Sequence, residues 1–400
     1  MFRATLKNRD ASVQESIEIE FPLPEDQYEK ALHTLTGFHI GAALKQDCYV
    51  TDICMAGCPA LGRMIDTVAN VDELDWLARK LENFGRYGLL QFNAAMERFG
   101  LSTVGDLIDL SVHSNKLTVI SDFSDLELVA KQHCLAVYGC CNPKELDNLD
   151  GTETAWLLMS EQQGHVTPYG VVYDNGVKLG QAYDGRHLPP NRLGKNCLME
   201  LLIGMQDETD AETFEWVQLP TSQIKLERAM LRAGIPSCGE MQMVLLGSHL
   251  PDEVNCALDF EHESLFALNH LCQACAEFQD ADFEKLGAIW QMAKPACAAN
   301  IRQLAENLDQ FDFAPNAHTP KELGKYMIQR SGHHEYDESL EEFYNYGDYG
   351  VRKLLQEDGV FVDRGYISYN GTLTLDELMR DDPAESYQQE QGTKMEEMAW

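Results

Sequence analysis

The stretch GHVTPYGVVYDNG, residues 164–176, decides the reading, because a related stretch, GVFVDRGYISYNG, returns at residues 359–371. At an offset of 195, Gly164, Gly170, Asn175 and Gly176 fall on Gly359, Gly365, Asn370 and Gly371. The turn-forming positions recur while the apolar ones vary. Backbone geometry demands this, since glycine tolerates conformations that other residues avoid. Each copy predicts a short, hairpin-like strand pair.

Outward from this anchor the register holds with small slips. DELDWLARKLENF, residues 72–84, lies on FALNHLCQACAEF, residues 266–278, at an offset of 194. Leu74, Leu77, Leu81 and Phe84 then meet Leu268, Leu271, Cys275 and Phe278, one stripe of an amphipathic helix in both copies. Ser124 and Glu127 align with Thr319 and Glu322, which predicts a capping box in each copy, with Pro320 at the first helical position of the second. FPLPEDQYEKAL from Phe21 aligns with LPTSQIKLERAM from Leu219 at an offset of 198. A unit of about 190 residues is far longer than a solenoid repeat, so the pattern predicts two tandem domains of one kind.

The rest of the chain follows from these marks. The alternation in SIEIEF, closed by Pro22 and Pro24, predicts a strand running into a turn. Helices are expected over 25–36, 72–84, 86–98, 103–111 and 124–137, and a cysteine- and glycine-containing loop or strand over 47–62. RHLPPNR, residues 186–192, predicts a linker because two prolines interrupt any periodicity. The expected organisation is a first unit over 1–185, a linker over 186–198, a second unit over 199–380, and an acidic, glutamine-rich tail over 381–400, at most loosely ordered.

Charge is the feature that average composition cannot explain: 65 acidic against 31 basic residues leave a formal net charge of −34. Residues 1–200 hold 28 acids and 17 bases, net −11, and residues 201–400 hold 37 and 14, net −23. Such an excess costs self-repulsion, so it calls for a purpose beyond solubility. Nucleic acid is a poor ligand for this surface because phosphates are repelled. A partner that itself binds nucleic acid is the better expectation. No apolar run approaches the roughly 18 residues of a membrane span, and nothing after Met1 resembles a signal peptide, so the expected location is the cytoplasm. The 12 cysteines, scattered through large domains, are expected as reduced thiols.

Motifs that would carry chemistry are weak. Cys272 and Cys275 form a CxxC, but in register they fall on Ala78 and Leu81 of a buried stripe, which favours a core role over zinc or redox chemistry. Cys54 with Cys58, and Cys140 with Cys141, lack a second pair at ligand spacing. His333 and His334 precede Glu335 without forming HExxH, and Gly194-Lys195-Asn196 lacks the Ser or Thr and the upstream glycine of a P-loop. Paired carboxylates are too abundant to single out a general acid and base. The expectation is no enzyme activity, no catalytic residue, no bound metal and no cofactor.

With these residues in view, the chain resembles the ArdA antirestriction proteins of conjugative plasmids and transposons. The resemblance is carried in the first copy by FRATLKN, FPLPEDQYEKAL, YVTDIC, VDELDWLARKL and the DLIDL to DLELVAK stretch. In the second copy it is carried by LPTSQIKLERAM, by LAENLDQFDFAPNAHTPKELGKYM from Leu304, and by FYNYGDYGVRKLLQEDGVFVDRGYISYNG from Phe343. It covers most of residues 1–176 and 215–371, in the manner of a tandem double ArdA. The resemblance implies an elongated α+β chain of several small subdomains per unit, which inhibits type I restriction-modification enzymes by mimicking B-form DNA in their groove. It also implies pairing, either as an intramolecular pseudo-dimer of the two copies or as a homodimer. The family's tyrosine and glycine run is kept at Tyr346, Tyr349 and Gly350, with Asn345 where an Asp is usual, whereas the first copy has Gly151, Thr154 and Ala155 at these positions.

The charge agrees with that implication. Duplex DNA carries one charge per roughly 1.7 Å, so −34 corresponds to about 58 Å, or roughly 17 base pairs. Acids near the repeat's helices and capping segments are the expected contact set. In the first copy they are Glu73, Asp75, Asp106, Asp109, Asp125 and Glu127. In the second they are Asp280, Asp282, Glu284, Glu306, Asp309, Asp312, Glu322, Glu341, Glu342 and Asp348. An acidic adaptor or regulator of a mobile element, bound to some other basic surface, is the alternative that the same charge and repeat allow.

Overall fold

The computed structural model describes residues 1–9, 15–140, 142, 144, 146, 149–191, 197–206, 208–210, 213–332 and 335–380. The expected tail over 381–400, and His333, His334, Cys141 and the Gly194-Lys195-Asn196 run, lie outside the described residues. The chain is α+β and divides into two compact units that part at residues 194 and 195. Among the described residues no helix is long and apolar enough to cross a membrane.

The first unit opens with an antiparallel sheet of β1 (Phe2–Asn8), β2 (Ser16–Phe21), β3 (Cys48–Cys54) and β4 (Val68–Ala69), in the order β2-β1-β3-β4. Alternation decides its faces: Phe2, Ala4 and Leu6 point into the core, while Arg3, on the opposite face, pairs with Glu20 across the strands. Helix α1 (Tyr28–Gly37) connects β2 to β3 and buries Tyr28, Leu32 and Leu35 at helical spacing. Three helices follow, α2 (Val71–Glu82), α3 (Arg86–Phe99) and α4 (Val104–His113). The last part contains β5 (Thr118–Ile120), α5 (Leu126–Tyr138), α6 (Gly151–Glu161), β6 (His165–Thr167) and β7 (Gly170–Tyr173), with the sheet order β5-β7-β6.

The second unit runs through the same sequence of parts. Strands β8 (Met199–Met205), β9 (Glu215–Leu219) and β10 (Met241–Ser248) form a sheet in the order β10-β8-β9, with helix α7 (Gln223–Arg232) between β9 and β10 in the chain. A short α8 (Asp252–Ala257) leads into α9 (Leu265–Ala274), α10 (Asp280–Ala293) and α11 (Ala298–Glu306). Then come β11 (Phe311–Pro315), α12 (Pro320–Gln329), α13 (Tyr346–Gln356), β12 (Gly359–Val362), β13 (Gly365–Tyr369) and α14 (Leu375–Leu378), with the sheet order β11-β13-β12. The order β11-β13-β12 matches β5-β7-β6 strand for strand, and β10-β8-β9 matches β3-β1-β2, whereas β4 has no counterpart among the described residues of the second unit. The peptides Phe21–Pro22 and Leu219–Pro220, at matching positions, are both cis.

The glycine pattern of the opening stretch has a physical cause here. Gly170 and Gly365 begin the inner strands at φ 136° and 140°, values that side-chain-bearing residues rarely adopt. A Cβ at Gly170 would lie 2.5 Å from the Ile120 carbonyl oxygen, and one at Gly365 would overlap that of Ala314. The neighbouring strand can therefore pair only with glycine at this place. The capping residues differ in one detail from expectation. Thr319 caps α12, accepting from the Glu322 amide, with Pro320 next, and the Glu322 carboxylate reaches back to the His318 amide. In the first unit Asp125, one residue after Ser124, is the cap and accepts from the Leu128 amide. The Ser124 amide instead closes an Asx turn on Asp122.

Candidate functional site

Half of the sixteen expected carboxylates lie at α-helix N-termini, where four amide groups lack helical partners and the dipole favours negative charge. Asp106, in the first turn of α4, accepts the Thr103 hydroxyl at 2.5 Å, and Asp125 caps α5. Glu127 sits in the first turn of that helix. Asp280 and Asp282 open α10, where Asp282 accepts from the Gln279 amide at 2.9 Å and so closes a capping box. Glu322 accepts from the His318 amide and the Thr319 hydroxyl, and Asp348 from the Asn345 side chain at 2.6 Å. These partners also hold charge in place: the hydrogen bonds at Glu322 keep its carboxyl below the usual range, so it is ionised at neutral pH.

Eleven of the set face solvent: Asp106, Asp125, Glu127, Asp280, Glu284, Glu306, Asp309, Asp312, Glu322, Glu342 and Asp348. Asp109, Asp282 and Glu341 are half-buried. Asp109 is turned onto its own unit, accepting the amides of Ala182 and Tyr183 at 2.6 and 2.7 Å. Glu341 accepts from the hydroxyls of Tyr336 and Tyr346 and from Gln329, which hold its carboxyl below the ordinary value. Further exposed carboxylates held low by local hydrogen bonds, Asp122, Asp259, Asp337 and Glu377, lie outside the expected set. Their Asx turns and caps are the sequence signal that identifies them.

Glu73 and Asp75 correct the expectation, because both are buried. The N-terminal half of α2 is covered on all sides, so the polar face that amphipathic spacing assigns to solvent does not exist there. Asn70 caps the helix, and Glu73, 2% exposed, accepts from the Asn70 amide, from Gln46 and from the Tyr183 hydroxyl. Burial raises its carboxyl above the ordinary value. Asp75 accepts the Leu23 amide at 2.6 Å and Arg79 at 2.9 Å. The covering segment is part of the span whose prolines predict a linker. Trp76 donates to the Pro189 carbonyl at 2.9 Å, and Asn191 is buried, so residues 183–191 belong to the packed first unit.

The motif residues Tyr346, Tyr349 and Gly350 serve packing. Tyr346 is buried, with its ring stacked on Tyr344 at 5.9 Å. Gly350 lies where α13 crosses α12: a Cβ there would overlap the Pro320 carbonyl, and one at Gly324 would overlap that of Tyr346. The two glycines let the helices touch backbone to backbone.

Cys272 and Cys275 lie in the core, and burial pushes the Cys275 thiol up to about 12 and raises that of Cys272 further. Thiols so far from ionisation are poor nucleophiles and ligands. Replacing them by the first-copy residues, C272A with C275L, is expected to leave a folded chain and unchanged partner binding. Metal analysis and thermal melting check this; stoichiometric zinc in the wild-type chain that the double variant lacks would overturn it. An open cleft of about 640 Å³ in the first unit is lined by Asp106, Asp109 and Asp184 among others. All three are hydrogen-bonded within the unit, Asp184 to the Arg186 and His187 amides. Asp259, Glu261 and His262 bring three possible metal-ligand atoms together, but on an exposed turn where His262 pairs with Asp259 at 2.7 Å. No family model matches the chain, and no curated protein matches it.

Proposed function

We propose that the chain is a non-enzymatic inhibitor of type I restriction-modification enzymes. It occupies their basic DNA-binding groove in place of DNA, in the cytoplasm, and so protects an incoming mobile element. The observation that carries this reading is the net charge of −34 on a chain in which eleven of the sixteen expected acids are exposed. Carboxylates anchored by backbone amides supply fixed negative charge, and a groove built for phosphates attracts it from a distance regardless of base sequence. The resemblance to ArdA proteins supports the same target class.

The test is inhibition of DNA cleavage by a purified type I enzyme, titrated with salt. Binding is expected to weaken steeply as salt rises, because many screened contacts contribute about 1 kcal/mol or less each. Neutralising Asp280, Glu284, Asp309 and Asp312 together to Asn or Gln is expected to weaken inhibition roughly tenfold or more and to flatten its salt dependence. The same treatment of Asp106, Asp109, Asp125 and Glu127 is expected to do less, since residues 1–200 carry −11 against −23 for the rest. Inhibition insensitive to salt would overturn the mimicry, and binding to the enzyme without inhibition would point to an acidic adaptor.

A further inference from the structure

The segment between α12 and α13 presents a feature that charge mimicry does not use. Residues Glu338–Phe343 form a six-residue 3-10 helix, in which positions three apart lie on one edge. Leu340 and Phe343 share such an edge, 45% and 82% exposed. Glu338 and Glu341 share a second edge, and Ser339 and Glu342 the third.

This short helix is pinned at both ends. Asp337 caps it, accepting from the Ser339 amide at 2.9 Å and the Ser339 hydroxyl at 2.7 Å. Glu341 ties the second edge to the body of the unit, through Tyr346 at 2.7 Å, Gln329 at 2.8 Å and Tyr336. Tyr344 continues the packing, its ring 5.7 Å from Tyr336 and 5.9 Å from Tyr346. An aromatic ring held outward on a pinned turn loses little further freedom on binding. From Glu335 to Asp348 the sequence carries six carboxylates and no lysine or arginine, and with Lys325 reaching Glu341 at 3.9 Å the turn stays strongly negative. Whatever covers Phe343 must therefore be basic around an apolar pocket, and a second copy of this chain would bring like charges together instead.

We propose that Leu340 and Phe343 are an apolar anchor that enters an apolar pocket beside the basic groove of the inhibited enzyme, with the surrounding carboxylates as its rim. The inference rests on the inhibitor reading and adds a source of specificity to it. DNA offers a groove no phenyl ring on an acidic turn, so the anchor separates the target from other proteins that merely bind DNA. The carboxylates set the rate of approach and the salt dependence, and the anchor sets the lifetime of the complex. In the register of the repeat Phe343 falls on Asn148, so the anchor belongs to the second copy alone.

The experiment measures binding of the full chain and of F343A and F343L to a purified type I enzyme at two salt concentrations, beside their melting temperatures. F343A is expected to bind roughly 30-fold more weakly, mainly through faster dissociation, at unchanged melting temperature and unchanged salt slope. F343L is expected to recover much of the loss, and a reduced salt slope in F343A would overturn an uncharged anchor. Wild-type inhibition that F343A retains in full overturns the anchor and leaves the inhibitor reading standing. A wild-type chain that neither binds nor inhibits overturns that reading and the anchor with it. Loss of self-association in F343A with enzyme binding intact would assign the edge to a second copy and overturn the proposal.

Discussion

Replacing Gly350 by alanine is expected to destabilise the second unit by about 3 kcal/mol or more, although the same change in an exposed helix stabilises by about 1 kcal/mol. The sign reverses because Gly350 is buried in α13 where that helix crosses α12, and the added methyl group would overlap the Pro320 carbonyl. A carbonyl oxygen cannot turn aside as a side-chain end can, so the helices must part along their length. Separation would loosen Tyr346 and the Glu341 hydrogen bonds that depend on its position. For a unit of this size the cost corresponds to a melting shift of roughly 6 to 12 °C. Urea and thermal unfolding of G350A, with G324A as a second probe of the same crossing, measure it. An alanine variant as stable as the parent would mean that the helices do not approach this closely.

The second large effect is expected at Glu73. Truncation to alanine leaves the Asn70 amide, the Gln46 amide group and the Tyr183 hydroxyl without their common acceptor in a buried place, at a cost of about 3 kcal/mol. The pH dependence distinguishes this from the loss of a surface charge. Burial raises the folded carboxyl above its ordinary value of 4.5, so folding favours the protonated form. That contribution is full below the unfolded value and is lost as pH rises through the raised folded value. The stability difference between wild type and E73A is therefore largest in acid and shrinks toward neutral pH. A difference that grows with pH would show that Glu73 is held as a charged partner. A melting temperature unchanged at all pH values would show that the α2 cluster contributes nothing.

Glu73 also shows where reading from sequence stops. VDELDWLARKL specifies a helix with an apolar stripe, a local fact carried by spacing, and in the fold the capping box of Asn70 and Glu73 starts it at Val71. Which acids of that helix meet water is decided by Tyr183, Trp76 and Pro189, which come together across more than a hundred residues. The prolines near residue 189 argue for a linker because proline interrupts periodicity, yet interruption does not prevent an irregular segment from packing. The capping difference at Ser124 and Asp125 is of the same kind: both residues can cap, and the turn on Asp122 selects between them.

The recurring glycines and turn positions are legible without a fold. Gly170 and Gly365 recur because a neighbouring strand passes within reach of any Cβ, and that constraint leaves the same residue at the same offset in each copy. The net charge is likewise a sum over residues and needs no fold. The folded arrangement settles which carboxylates face outward, because exposure depends on segments distant in sequence that cover one helix end and leave another open. It also turned Tyr346 and Gly350 into a helix crossing and left Phe343 standing in water, since apolar residues three apart read the same whether a neighbour covers them or not.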